Sequence, residues 1–391
     1  MRLLIEFMMS WASLARPLQF SHSESIFKSL LVALAIFIAP QFSSNAHAAS
    51  LNDMAGQMIM VGFQGDNVAS HSVRDLRMML KEGRVGGVMY LKFNVATLDD
   101  VRTMNEGFLG AGSALPPLIA IDQEGGSIER LTREVGFEEI QSAAEIARGQ
   151  TPESAQRIYA RIARELSFLG FNLNLGPVAD VNINPDNPII ARYGRSFSNA
   201  PASVVRYAAA FVAAHRSANM LTALKHFPGH GSSAQDSHVG FVDITNTWQA
   251  VELEPFRELI AAGYADMVMV GHLFHQKFST EPGVQLPSSL SPNWITGILR
   301  KHLGYNGVII SDDLEMAAVR DNFGVAETVV RAVRAGTDIL LFSNTSNYHI
   351  GLADEIRAVI VAEARADPAF KALVEASYRR IRDLKSRIRS N

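Results

Sequence analysis

The sequence predicts an α/β protein, a (β/α)8 barrel of the TIM type in a single catalytic domain. Three observations carry this. Eight short apolar runs alternate with stretches of helical periodicity. The runs are continuously apolar, as parallel strands buried on both faces are. Most of the eight also end in polar side chains: Asp122, Asp180, Lys225-His226, His272, Asp312-Asp313 and Ser343-Asn344. A closed parallel barrel gathers those ends on one face, where such barrels carry their sites. An open doubly wound sheet would ask for a glycine-rich phosphate turn after its first strand, and Gly62-Phe63-Gln64-Gly65 is only a turn.

Residues 1–48 stand apart. Lys28 precedes an apolar run over 30–39, Pro40 breaks it, and Ala46-His47-Ala48 follows. That is the order of a secretory signal. The run is shorter than the roughly 20 apolar residues that a membrane span needs. The expectation is a signal peptide over 1–48, cut after Ala48, and a periplasmic or secreted domain over 49–391 with no membrane attachment afterwards. An uncleaved anchor is the alternative, and Met8 or Met9 is an alternative start.

The runs are 57–63 (QMIMVGF), 85–91 (VGGVMYL), 117–122 (PLIAID), 173–180 (LNLGPVAD), 221–227 (LTALKHF), 267–272 (MVMVGH), 307–312 (GVIISD) and 338–343 (DILLFS). Between them, 152–169 places Ala155, Ile158, Ile162, Leu166 and Leu169 on one stripe. Thr151 is placed to cap that helix, with Pro152 at its first position. Residues 203–214, 292–303 and 325–335 read similarly. The tail over 369–389 reads as a helix, with Phe370, Leu373, Ala376, Ile381 and Leu384 inward and its many Arg and Lys on a solvated face.

Composition narrows the chemistry. The 391 residues are 48% hydrophobic and 19% charged, which suits a large core, and the net charge of −3 is near balance. No long basic run precedes the tail, so nucleic acid is not an expected partner. The absence of Cys removes disulfides, thiolate ligands, a Cys nucleophile and lipid attachment through an N-terminal Cys.

The densest chemistry is in 225–238, KHFPGHGSSAQDSH. Lys225, His226, His230, Asp236 and His238 share fourteen residues with Pro228, Gly229 and Gly231. Reactive groups on a loop held by a rigid scaffold are a common site design. Asp236 and His238 are two apart, and a carboxylate against an imidazole orients the ring and favours its protonated form. Such a pair can give a proton and later take one. At the end of 307–312, strand alternation allows Asp312 or Asp313, not both, to face the barrel mouth. One is a candidate nucleophile and the other structural. A carboxylate nucleophile with an acid/base is the division of labour of a retaining glycosidase, where both groups are usually carboxylic acids. An imidazole titrates near pH 6.5 unaided, whereas a carboxylic acid must be shifted upward to serve there. His226, His230, Asp236 and His238 also read as metal ligands, although HxxxH in a Pro/Gly-rich loop lacks helical pre-organisation. His272 and Asp180 read equally well as hydrogen-bonded structural groups.

This loop resembles the signature of the bacterial β-N-acetylglucosaminidases of glycoside hydrolase family 3: K-H-F-P-G-H-G, four residues, D-S-H. Further blocks occur in the same order. Residues 121–126 (IDQEGG) with Arg130 resemble D-Q-E-G-G…R. Residues 170–172 (GFN) with 176–181 (GPVADV) resemble another block, 194–198 (GRSFS) resembles the R-S-F-S turn, and 311–316 (SDDLEM) is similar to the S-D-D-L-x-M nucleophile motif. The resemblance implies a covalent glycosyl-enzyme on Asp312 and His238 as acid/base paired with Asp236. It implies that Asp122, Arg130, Arg195, Lys225 and His226 hold the sugar in the first subsite. It implies a loop that moves over the sugar, and neither metal nor other cofactor. The expected activity is exo-acting, retaining release of terminal N-acetylglucosamine from peptidoglycan fragments or chitin-like oligosaccharides by a monomer. The chain departs from the pattern in its apparent export and at Ser127, where many relatives carry Arg. Transfer of the sugar to phosphate, a sugar-binding protein without chemistry and a metal-dependent hydrolase are the other readings. Asp312, Asp236 and His238 are all present, which speaks against the second.

Overall fold

The computed structural model describes residues 49–278, 283–345 and 347–388. The expected signal peptide lies outside the described residues. Among them, no helix is long and apolar enough to cross a membrane.

Ten strands are present among the described residues: β1 (Ile59–Gly62), β2 (Gly87–Tyr90), β3 (Leu118–Ile121), β4 (Leu173–Asn174), β5 (Leu221–Phe227), β6 (Val242–Asp243), β7 (Met267–Val270), β8 (Leu273–Phe274), β9 (Val308–Ser311) and β10 (Leu340–Phe342). Eight of them form one parallel sheet in the order β10-β1-β2-β3-β4-β5-β7-β9. The ring closes where Ile310 bridges Ile339, with the Ser311 N–H donating to the Ile339 carbonyl at 3.0 Å. The expected (β/α)8 barrel is therefore the fold. Every residue of these eight strands is buried, which explains their unbroken apolar runs. β6 and β8 pair separately as a short ribbon.

Helices cover the outside. In Pro152–Phe168, Ala155, Ile162 and Leu166 are buried, and the Thr151 hydroxyl accepts the Ser154 N–H at 3.3 Å. That helix packs against Pro201–Ser217.

The structure corrects three boundary expectations. Gln57 belongs to a helix, Leu51–Gln57, that Ser50 and Asp53 start with a reciprocal capping box. The run 173–180 keeps only two ladder residues, because Pro177 has no N–H to give a ladder; the chain touches the barrel again where Val178 bridges Lys225. The basic face of the tail helix, Pro368–Lys385, is only partly solvated. Lys385 is buried and its Nζ donates to Gln57 Oε1 and the Gly86 carbonyl, both at 2.6 Å. Arg380 donates to Asp338 Oδ1 at 2.7 Å, and Arg387 reaches Asp266. Both aspartates are buried and stand just before β10 and β7, so the N-terminal end of the barrel draws these cations inward.

Candidate active site

The opposite end of the barrel opens into a cavity of about 380 Å³. All eight expected site residues line it: Asp122, Arg130, Arg195, Lys225, His226, Asp236, His238 and Asp312. Each follows from where its strand or loop ends.

Asp122 stands one residue beyond β3. Its Oδ1 accepts from Lys225 Nζ at 2.7 Å and its Oδ2 from Arg130 Nη2 at 3.1 Å. Lys225, in β5, also lies 2.7 Å from Glu124 Oε1. Arg195 closes the chain with a two-pronged bond to Glu124, at 2.9 and 2.8 Å. The charges hold one another ionised. Burial pushes Glu124 up, but Arg195 and Lys225 outweigh it and keep the carboxyl far below its ordinary range. Burial likewise works against ionised Asp122 and Lys225, and their mutual attraction wins at both.

His226 joins this network to a second one. Its Nδ1 is 2.7 Å from Asp180 Oδ2, and its Nε2 is 3.3 Å from Arg195 Nη2. A guanidinium only donates, so in a neutral ring this arrangement makes Nε2 the acceptor and leaves Nδ1–H to donate to Asp180. Asp180 is fully buried, and its Oδ1 accepts the His226 and His230 N–H groups at 3.1 and 2.9 Å. It orients a cavity side chain and pins the loop stem together.

Asp312 follows β9 directly. The strand ends at Ser311, so strand alternation does not separate Asp312 from Asp313, and both line the cavity. Their engagements differ. Asp313 Oδ1 accepts the Ser343 and Glu315 N–H groups at 2.8 and 3.1 Å. Asp312 Oδ1 accepts only the Asp313 N–H, at 2.8 Å, and Oδ2 has no hydrogen-bond partner among the described residues. Burial pushes the Asp312 carboxyl up, but His226, His272 and His238 outweigh it and hold it at about 2. The result is an ionised carboxylate with one oxygen free toward the cavity. His272 itself bonds Ser289 Oγ at 2.7 Å and the Asp313 carbonyl at 2.8 Å, and serves as a brace behind Asp312.

The loop over 225–238 brings the remaining pair. A Cβ on Gly231 would fall 1.7 Å from the Val181 carbonyl, so only glycine lets the loop lie this close to the barrel. Beyond it, His238 Nδ1 is 2.8 Å from Asp236 Oδ1, which also accepts the His238 N–H at 2.9 Å. The ring is thereby oriented with Nε2 left over. His230 does not join this pair or the cavity. Its ring lies between Ser233 Oγ at 2.5 Å and Ser237 Oγ at 3.4 Å. Among the described residues no three His, Asp or Glu side chains converge as a metal site, so the four ligands suggested by spacing do not form a set.

Glu124 was missing from the expected site, although it sits inside the D-Q-E-G-G block and its signal was a carboxylate in a glycine-flanked turn. Met89 and Met269 line the cavity too, but inside strand runs they look like any core residue. Tyr193, Ile189 and Ile128 supply apolar wall and had no signal at all. Ser127 is exposed beside Ile128.

Comparison with known proteins identifies the family. The family profile described as "Glycosyl hydrolase family 3 N terminal domain" matches residues 50–381. The chain is similar to β-hexosaminidase A of Pseudoalteromonas piscicida, 33% identical over 334 residues that cover 77% of this chain and 56% of that one. The chain thus spans little more than half the length of that relative. It is 34% identical to β-hexosaminidase LpqI of Mycobacterium tuberculosis, over 76% of this chain and 74% of the relative. The crystal structure of a β-N-acetylhexosaminidase from Beutenbergia cavernae superposes with a TM-score of 0.78 at 30% identity, covering 87% of this chain and 99% of that one.

Proposed function

The chain belongs to glycosyl hydrolase family 3 and is a glycoside hydrolase, and on that premise we propose that it is an exo-acting, retaining β-N-acetylglucosaminidase. The observation that carries the reading is Asp312: an ionised carboxylate with a free oxygen, at the floor of a cavity whose rim bears an oriented imidazole.

In the first step Asp312 Oδ2 attacks the anomeric carbon and forms the glycosyl-enzyme bond. The bond to the leaving oxygen breaks as His238, protonated on Nε2, gives that oxygen its proton. In the second step a water attacks the same carbon, His238 takes the water's proton, and the Asp312 bond breaks. Asp236 holds the ring and stabilises its charged form in between. Asp122, Glu124, Arg130, Arg195, Lys225 and His226 offer donors and acceptors fixed by their own ion pairs, and so suit the hydroxyls and N-acetyl group of one sugar. Relatives named β-hexosaminidase support N-acetylglucosamine at this position. The substrates proposed are peptidoglycan fragments or chitin-like oligosaccharides, met in the periplasm or outside the cell. That location rests on the composition of residues 1–48 alone.

The test is hydrolysis of 4-nitrophenyl N-acetyl-β-glucosaminide and of the matching β-glucoside, with and without phosphate, by the protein and by Asp312→Ala. Turnover of the N-acetyl sugar, independent of phosphate and lost in the variant, is the expected result. Preference for the glucoside, or turnover that survives in Asp312→Ala, sinks the reading.

A further inference from the structure

The loop that carries Asp236 and His238 has two unlike halves. Residues 228–233 are clamped. Asn187 Nδ2 donates to the His230 carbonyl at 2.8 Å, Asn184 Nδ2 to the Ser233 carbonyl at 3.1 Å, and Trp248 Nε1 to the Pro228 carbonyl at 3.1 Å. Residues 234–240 are held lightly. Ser237 touches His230 and takes the Ala318 N–H, each at 3.4 Å, while His238 is 58% and Val239 80% exposed. The position of His238 therefore depends on how firmly the clamped half is seated.

Beneath that half lies Glu252, on the short helical turn Ala250–Leu253. It is fully buried, outside the cavity lining, and no ion pair reaches it among the described residues. Its Oε2 accepts the Ser232 N–H at 3.2 Å and its Oε1 the Gln249 N–H at 3.1 Å. Gly229 rests on the same side chain. It has φ +117°, and a Cβ there would lie 2.6 Å from Glu252 Cβ. Burial pushes the Glu252 carboxyl up to about 7, and nearby Asp180 adds to the rise. An unpaired carboxyl in the interior is costly. A small apolar residue would avoid that cost, but it would leave the Ser232 N–H without an acceptor and Gly229 without a seat.

We propose that Glu252 is a positioning residue for the acid/base: through the Ser232 N–H and the seat it gives Gly229, it sets where the Asp236–His238 arm leaves the barrel. This rests on the reading that His238 is the acid/base. Its effect on the first step, read as kcat/KM, must then appear only where protonation of the leaving group matters.

The experiment uses the full chain with Glu252→Gln, His238→Ala and the double variant. Two substrates are compared. The β-1,4-linked disaccharide of N-acetylglucosamine needs its leaving group protonated, and the 2,4-dinitrophenyl glycoside does not. General acid catalysis is typically worth about 10²–10⁴-fold, so partial misplacement by Glu252→Gln is expected to cost about 10-fold in kcat/KM on the disaccharide. The dinitrophenyl glycoside should lose less than about 2-fold, and the double variant should lose nothing beyond His238→Ala, since effects through one group are not additive. Equal losses on both substrates, no loss on either, or additive losses in the double variant overturn the proposal. Gly229→Ala disturbs the same contact from the loop side and decides in the same way if Glu252→Gln does not fold. Wild-type inactivity on both substrates overturns the functional reading and this inference with it. An active wild type in which His238→Ala loses the disaccharide while Glu252→Gln and Gly229→Ala respond flatly overturns the inference alone.

Discussion

Asp338 and Asp312 stand at opposite ends of the same barrel and are used in opposite ways. Asp338, before β10, is fully buried and takes five hydrogen bonds, from Ser377, Arg380 (two), Arg300 and the Ile309 N–H. Asp312, after β9, takes one from its neighbour and keeps an oxygen open to the cavity. Asp266 repeats the Asp338 pattern before β7, with Arg216, Arg387 and Thr222 around it. At the bottom of the barrel, charge is buried to join elements, and nothing is left over for a ligand. At the mouth, Lys225, Arg195, Asp122 and Glu124 are braced by one another and still line the cavity. The difference is between charge that is fully neutralised and charge that is held in place with bonding capacity left.

Substitutions at the two ends should separate activity from stability. Asp312→Ala is expected to lower turnover by roughly 10⁴-fold or more, with the melting temperature nearly unchanged. A variant that melts far lower would mean Asp312 is a structural group like Asp338. On the loop, His238→Ala should lose about 10²-fold or more in kcat/KM on the disaccharide and much less in kcat/KM on an activated aryl glycoside. Equal losses on both sink the acid role. At the bottom, Asp338→Ala strands Arg300 and Arg380. It should cost about 3–5 kcal/mol in denaturant unfolding while activity per folded molecule holds. A further, pH-dependent effect concerns Lys385, whose partners are neutral acceptors and whose burial lowers its amine from 10.5 to about 7. Between those values the unfolded chain binds the proton and the folded one does not, so stability rises with pH across that window. Below it both states are protonated and the contribution is constant. Measured from pH 7 to 10.5, the wild type should gain stability relative to Lys385→Met; parallel curves would show that Lys385 is solvated.

The same contrast separates what was legible in the sequence from what was not. The mouth was legible because its residues cluster at strand ends and in one loop, where polar groups interrupt apolar runs. Glu124 was passed over though it sat in the same block as Asp122. The bottom was misread. The tail's Arg and Lys looked like a solvated face because their acceptors are remote in sequence: Arg387 finds Asp266, and Lys385 finds Gln57 and Gly86. Helical periodicity carries no information about such distant partners. β4 was expected to be long because LNLGPVAD is mostly apolar, but a proline decided its length.

The join of the barrel lies between the first and last parts of the described chain. β1 pairs with β10, and Lys385 reaches back to Gln57. A chain made from its N-terminus therefore carries β1 with one edge unpaired throughout most of its synthesis. The ring cannot close on the ribosome before residues 340–342 have emerged. Contacts so distant in sequence form late. For that interval the nascent chain remains available to chaperones and to any machinery that threads extended polypeptide.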